Sequence, residues 1–347
     1  MRVLGVLFAV VLLVVGATPA NATHGPSWRL TATDSAARFR GLSVVDGRTA
    51  WAGGSLGTVL RTVDGGRTWL SVGPPDTAAL QFRDIEAFDA DHAVVLSIGP
   101  GEESRIYTTG NGGRTWTETF RNTDPNAFYD CVAFFDRRNG LAMSDPVDGK
   151  FRILSTKDGG ASWSVLPDKG MPAAQPGEAG FAASGQCLVT NGSKDAWIAS
   201  GGGAKARVYH TSDRGLNWKS SDAPLASSPS AGIFALAFRD TRTGVAIGGD
   251  FAAPTESKDA LARTADGGKS WKVPPQAPKG YRSGLTYLPY LPTGLLAVGP
   301  TGSDLSLDGG NHWYQFDAGS FDTVDCGPDG SCWAAGEQGR IAKLRLL

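Results

Sequence analysis

The chain has 347 residues, 41% of them apolar, and a formal charge of −1 from 33 basic and 34 acidic side chains. That balance excludes disorder through charge, and it excludes nucleic-acid binding by bulk charge, which needs a strongly basic domain. The 47 glycines, about 14% against a typical ~7%, point to many tight turns, and four scattered His and four Cys leave little material for a metal site.

In chain order, Met1-Arg2 precedes an apolar run from Val3 to Gly16 and an Ala20-x-Ala22 site. A positive start, a short apolar stretch and small residues at the cut predict a secretory leader over 1–22, cleaved after Ala22. The run falls short of the ~20 residues that span a bilayer. No second long apolar run follows, so no membrane span is expected. Residues 23–347 are then a single monomeric domain, released to the periplasm or beyond the cell.

One phrase organises the rest. Thr62-Val-Asp-Gly-Gly-Arg-Thr-Trp69 returns as Thr109 to Trp116, Thr156 to Trp163, Thr211 to Trp218, Thr264 to Trp271 and Ser306 to Trp313, with Trp spacings of 47, 47, 55, 53 and 42. A period of this length matches one four-stranded propeller blade per repeat. In each copy Asp64, Asn111, Asp158, Asp213, Asp266 or Asp308 can accept bonds from its own turn, and a glycine two residues on can take the left-handed backbone. These positions read as structural. Inner strands are expected to begin at Phe39, Phe82, Phe128, Phe181, Tyr281 and Phe321, with a smaller variant near Gly232. That makes seven inner strands for six phrases. The C-terminal Cys332 to Leu344 repeats the pattern that precedes a phrase, and Ser27 to Thr33 looks like the strand that follows one. The prediction is an all-β, seven-bladed propeller closed by its N-terminal strand, which protects the sheet edges.

The phrase is similar to the Asp-box repeat of bacterial neuraminidases. Together with Phe128-Tyr-Asp-Cys-Val-Ala-Phe-Phe-Asp136 and Met143-Ser-Asp-Pro-Val-Asp-Gly149 it resembles an exported bacterial branch of the photosystem II stability/assembly factor family. The resemblance spans nearly the whole mature chain. It implies a propeller that holds a protein partner; photosynthetic members are assembly chaperones. A dinucleotide fingerprint is not supported, because Gly53 to Gly57 and Gly201 to Gly203 lie between strands and do not open helices. No cofactor is expected.

Aligning the repeats places Arg105, Arg152 and Arg207 at one position, with Arg340 matching in the last blade. A second register after the inner-strand aromatic holds Arg40, Arg83 and Arg282, with Tyr129 in the third blade. Both registers should open on the face opposite the box turns, giving an arginine-rich tunnel mouth suited to an acidic peptide or other anion. The alternative is that each arginine pairs with an acid such as Asp84, Asp130, Asp145, Asp148 or Glu337. A competing function is glycoside hydrolysis, sialidase-like with Tyr129, Glu178 and Asp84, or two-carboxylate with Asp145, Asp148, Asp250 and Glu178. Against it, the ten Trp are all accounted for by repeat positions, leaving none to stack on a sugar. Cys326 and Cys332 flank a Pro-Asp-Gly turn and are placed to form a disulfide. Cys131 and Cys187, on neighbouring inner strands, are either buried thiols or a second bond. The loops Leu166 to Gly180, Ser220 to Gly232 and Phe251 to Asp259 should decorate the functional face.

Overall fold

A computed structural model describes residues 25–345. The expected leader lies outside the described residues. Seven antiparallel sheets form the ring, six of four strands and one of three. Their inner strands are Phe39–Val44, Gln81–Ala87, Tyr129–Phe134, Leu188–Asn191, Ala231–Phe238, Gly284–Tyr287 and Thr323–Cys326; blades are numbered 1 to 7 in that order. The N-terminal strand Ser27–Thr31 pairs with Ile341–Arg345 as the outer strand of blade 7, from Ser27 against Arg345 to Thr31 against Ile341. The seven-bladed ring closed by its N-terminal strand is therefore borne out.

Each box turn is held by its own side chains. In the first, Thr62 Oγ1 donates to Asp64 Oδ1 (2.9 Å) and accepts from Gly66 N (2.9 Å), while Asp64 accepts from Thr68 N (3.0 Å) and Thr68 Oγ1 (2.7 Å). The same pattern recurs around Asp158, Asp213, Asp266 and Asp308. In the second turn Asn111 takes the acid's place, and its amide donates to Thr115 Oγ1 (2.7 Å). The turn also clamps the ring: a Cβ on Gly66, whose φ is +77°, would come within 2.5 Å of the Trp333 ring on the preceding blade. Only glycine allows both that backbone and that approach.

Two local departures from the repeat have physical causes. Blade 5 lacks a fourth strand: Lys272 exchanges two backbone bonds with Arg263, and then Pro274 and Pro275 follow, which cannot donate to a ladder. In blade 4 the inner strand begins at Leu188, not at Phe181. The segment between them is diverted into the tunnel.

Both cysteine pairs are bonded. Cys326–Cys332 closes the hairpin of blade 7, and Cys131–Cys187 ties the inner strand of blade 3 to the lead-in of blade 4 across a sequence separation of 56. The open choice for Cys131 and Cys187 resolves to the bond.

Candidate functional site

In a four-stranded antiparallel blade, the box turn between the third and fourth strands lies at the end where the inner strand finishes. The starts of the inner strands line the opposite mouth. The diverted segment Ala182 to Gln186 forms the floor of that mouth. Ser184 O accepts from Thr323 Oγ1 (3.2 Å), Gln186 Nε2 donates to Val324 O (2.9 Å), and Gln186 Oε1 accepts from Leu285 N (2.8 Å). Ala182 O accepts from Arg83 Nη1 (3.1 Å), and Gln186 O accepts from Leu236 N (3.0 Å). One short segment thus bonds to blades 2, 5, 6 and 7, which is possible only near the axis. The mouth is a bowl with a floor.

Arginines gather on one wall of the bowl. Arg38, Arg40 and Arg83 line a cleft of about 420 Å³ with Ser55, Leu56 and Gln81. Arg38 holds Asp322 in a two-pronged bond, Nε to Oδ2 at 2.8 Å and Nη2 to Oδ1 at 2.6 Å. Arg40 reaches the same carboxylate only at 3.8 Å, and its buried Nε has no hydrogen-bond partner. Burial, reinforced by the charges of Arg40 and Arg38, pulls Arg83 down to about 10. Burial also lowers Arg40, whereas the hydrogen bond to Asp322 raises Arg38. Like charges crowded into a half-buried cleft favour an incoming anion, because it relieves their mutual repulsion. The sequence reading missed Arg38. Its signal was present: side chains two apart on a strand share a face, so Arg38 and Arg40 on either side of Phe39 belong together.

The other proposed ligand arginines are placed differently. Arg105 donates to Glu102 O (2.6 Å) and lies 3.5 Å from Glu118; Arg152 donates to Asp124 (2.7 Å). Arg207 meets both oxygens of Glu178, whose fully buried carboxylate also takes Ser200 Oγ (2.6 Å) and Tyr209 OH (3.1 Å). This register is closed by its own acids and does not form a free ring of donors. Arg282 has a wholly buried side chain whose Nε donates to Asp304 (2.6 Å) and whose Nη1 donates to Thr301 Oγ1 and Tyr281 O. It braces blade 6 and does not reach the mouth. Tyr129 is core: its ring packs on Phe120 at 5.2 Å, and burial raises its hydroxyl to about 12. Arg340 lies over the Phe321 ring at 4.6 Å, in a separate cleft beside residues 30–36.

Of the carboxylates considered for hydrolysis, Asp84, Asp145, Asp250 and Glu178 are engaged. Asp84 accepts from Ile85 N (2.8 Å) and Val132 N (2.7 Å). Asp250 accepts from Ala252 N (2.8 Å), and Asp148 sits in a turn at φ 52°. Asp145 accepts from Gly180 N (2.7 Å) and lies in the field of the buried Asp130. Burial pushes Asp145 up to about 6 and Asp130 well above the usual carboxylate range, and Asp130 Oδ2 is buried without a hydrogen-bond partner. Among the described residues, no three His, Cys, Asp or Glu converge on a metal-sized site, and no helix is long and apolar enough to cross a membrane.

Fold and site together define a seven-bladed propeller with a basic, one-sided bowl. Similar solved structures include YCF48 bound to D1 peptide (TM-score 0.63, 15% identity, covering 91% of this chain and 94% of that one). YCF48 from Cyanidioschyzon merolae is similar at TM-score 0.62 and 15% identity, over 91% of this chain and 98% of that one. The GH74 xyloglucanase from Xanthomonas campestris matches at TM-score 0.62 and 17% identity, over 91% of this chain but 53% of the enzyme. At these identities the likeness is one of fold. No family profile and no curated protein matches the sequence.

Proposed function

We propose that this chain is an exported, non-enzymatic binding propeller of the assembly-factor kind, which holds an acidic peptide segment of a partner protein in its bowl. The observation that carries the reading is the cleft lined by Arg38, Arg40 and Arg83, where Arg38 pairs with Asp322, Arg40 reaches that carboxylate only at 3.8 Å, and Arg83 bonds only to the neutral oxygens of Ala182 and Gln81. The Arg40 charge is thus left without a close carboxylate. The fork of an arginine can bond both oxygens of a carboxylate, so the cleft suits an acidic side chain or a chain terminus. The sequence resemblance to the photosystem II stability/assembly factor family supports this, as does the likeness in fold to YCF48 in its complex with a peptide. Export rests on the pattern of Met1 to Ala22.

The test is fluorescence anisotropy with a labelled hexaglutamate peptide. A charge-assisted contact contributes about 1.5–3 kcal/mol, so Arg40→Ala with Arg83→Ala should weaken binding about 10²–10⁴-fold. Binding should also weaken with rising salt, since the Debye length is about 10 Å at 0.1 M. Affinity unchanged in the double variant, with an unchanged melting temperature, would overturn the reading.

A further inference from the structure

The wall of the bowl opposite the arginines is aromatic. Phe181 and Phe234 stack with centroids 4.3 Å apart and planes at 23°, and Phe251 sets its edge to both, at 6.4 and 6.2 Å. Tyr281 stands edge-on to Phe234 at 4.7 Å.

The shelf is built and held. Gly201 and Gly232 lie back to back beneath Phe181, where a Cβ on either would come within 2.5 or 2.7 Å of its ring. Two side chains are absent so that this ring can sit there. Phe251 follows the strand Gly244–Asp250, at the mouth end of blade 5, and its backbone is pinned: its N–H donates to Ser230 O (3.1 Å), and the next residue is capped by Asp250. Yet Phe251 remains 52% exposed. A rigid aromatic that is fixed in place and still open to water has the character of a binding anchor, because little freedom remains to be lost when it is covered.

Shelf and arginine cleft are continuous. Arg83 donates to the carbonyl of Ala182, the residue after Phe181. Tyr281, which touches the shelf, lies in the field of Asp322 and Arg40. The two walls share one floor.

We infer that the bowl reads two features at once: an anionic group on Arg38, Arg40 and Arg83, and an aromatic or large apolar side chain on the shelf that Phe251 and Phe181 form over the buried Phe234. The occupant is then an acidic peptide that carries such a side chain close to its carboxylates. This rests on the binding function proposed above and specifies its ligand. Charge complementarity selects the acidic end, and the exposed Phe251 ring selects the apolar neighbour.

Two labelled probes separate the parts: acetyl-Gly-Phe-Gly-Glu-Glu, and the same peptide with Ala in place of Phe. The Phe peptide should bind the native protein about 10-fold more tightly, the scale of one good aromatic contact. Phe251→Ala should abolish that preference and leave the Ala peptide's affinity and the melting temperature unchanged. Arg40→Ala with Arg83→Ala should weaken both peptides alike. Equal affinity of the two peptides, with the arginine dependence intact, overturns the aromatic shelf alone, as does an equal loss for both peptides in Phe251→Ala. Absence of arginine-dependent binding for either peptide overturns both this inference and the function it rests on.

Discussion

Asp145→Asn should lessen the fall of stability with rising pH between about 4 and 6, a fall to which Asp84, Glu86, Asp130 and Asp325, all raised by burial, also contribute. Asp145 is held at about 6 against an ordinary 3.8, because burial penalises its charge more than the Gly180 N–H relieves it. Over that window the folded chain keeps a proton that the unfolded chain has released. The stability tied to this proton is complete below pH 3.8 and is lost as pH rises through 6. At about 1.4 kcal/mol for each pH unit between the two values, about 3 kcal/mol is at stake. Asp130, raised well above the usual range, keeps its own proton further up the scale. The box carboxylates act at the other end. Asp64, Asp266 and Asp308 are held near 2, so their contribution is present above about 4 and fades only in stronger acid, equally in both proteins. The amide at position 145 can still accept from Gly180 N and can donate to Asp130, so the fold is retained without the titration. The assay is urea unfolding at pH 4, 5, 6 and 7. The native protein should lose about 3 kcal/mol relative to the variant between the lowest and highest pH. Parallel curves would refute the buried, proton-holding Asp145.

Replacing both cysteines of one bridge, Cys131→Ala with Cys187→Ala, should lower unfolding stability by about 4 kcal/mol, the chain-entropy value for the 56-residue separation that the bond spans; a urea midpoint equal to that of the native protein would contradict it. Asn111→Asp should raise stability by about 0.5–1 kcal/mol at pH 7, since a carboxylate there would accept from Thr115 N and Oγ1 as its five counterparts do. That gain should vanish near pH 2, where the new acid is protonated, and a melting temperature that does not move at pH 7 would count against the charge-assisted turn.

The ring was legible because each box turn needs the same few atoms in the same order. Asp64 and its counterparts bond their own turn, so the chemistry is local and the repeat announces it. The closing strand was legible because Ser27 to Thr31 supplies what the last repeat lacks. The arginines were less so. Register gives a residue's place around a ring, but its partner can come from anywhere. Glu178 meets Arg207 from a long, non-repeating loop, and Asp124 meets Arg152 from the connection between blades 2 and 3. Neither acid has a counterpart in other blades, so no alignment of repeats could foresee the pairing. Phe181 misled for a related reason. It looks like the aromatic that opens an inner strand, and only its stacking on Phe234 and the diversion of the chain after it show otherwise.

The floor of the bowl bears on the order of assembly. Gln186 emerges before blade 4, yet its amide bonds to Leu285 and Val324, 99 and 138 residues later. Blades 1 to 3 can form as local meanders, each from neighbours in sequence. The hub cannot be completed until blades 6 and 7 exist, so the Gln186 side chain waits for both of its partners while most of the ring is built. Contacts of such separation are costly to close and slow to form. Backbone protection at Leu285 should therefore arise late in refolding, together with the pairing of Ser27–Thr31 to the last strand. The molecule finishes like a wheel whose hub is set only when its last spokes are in place.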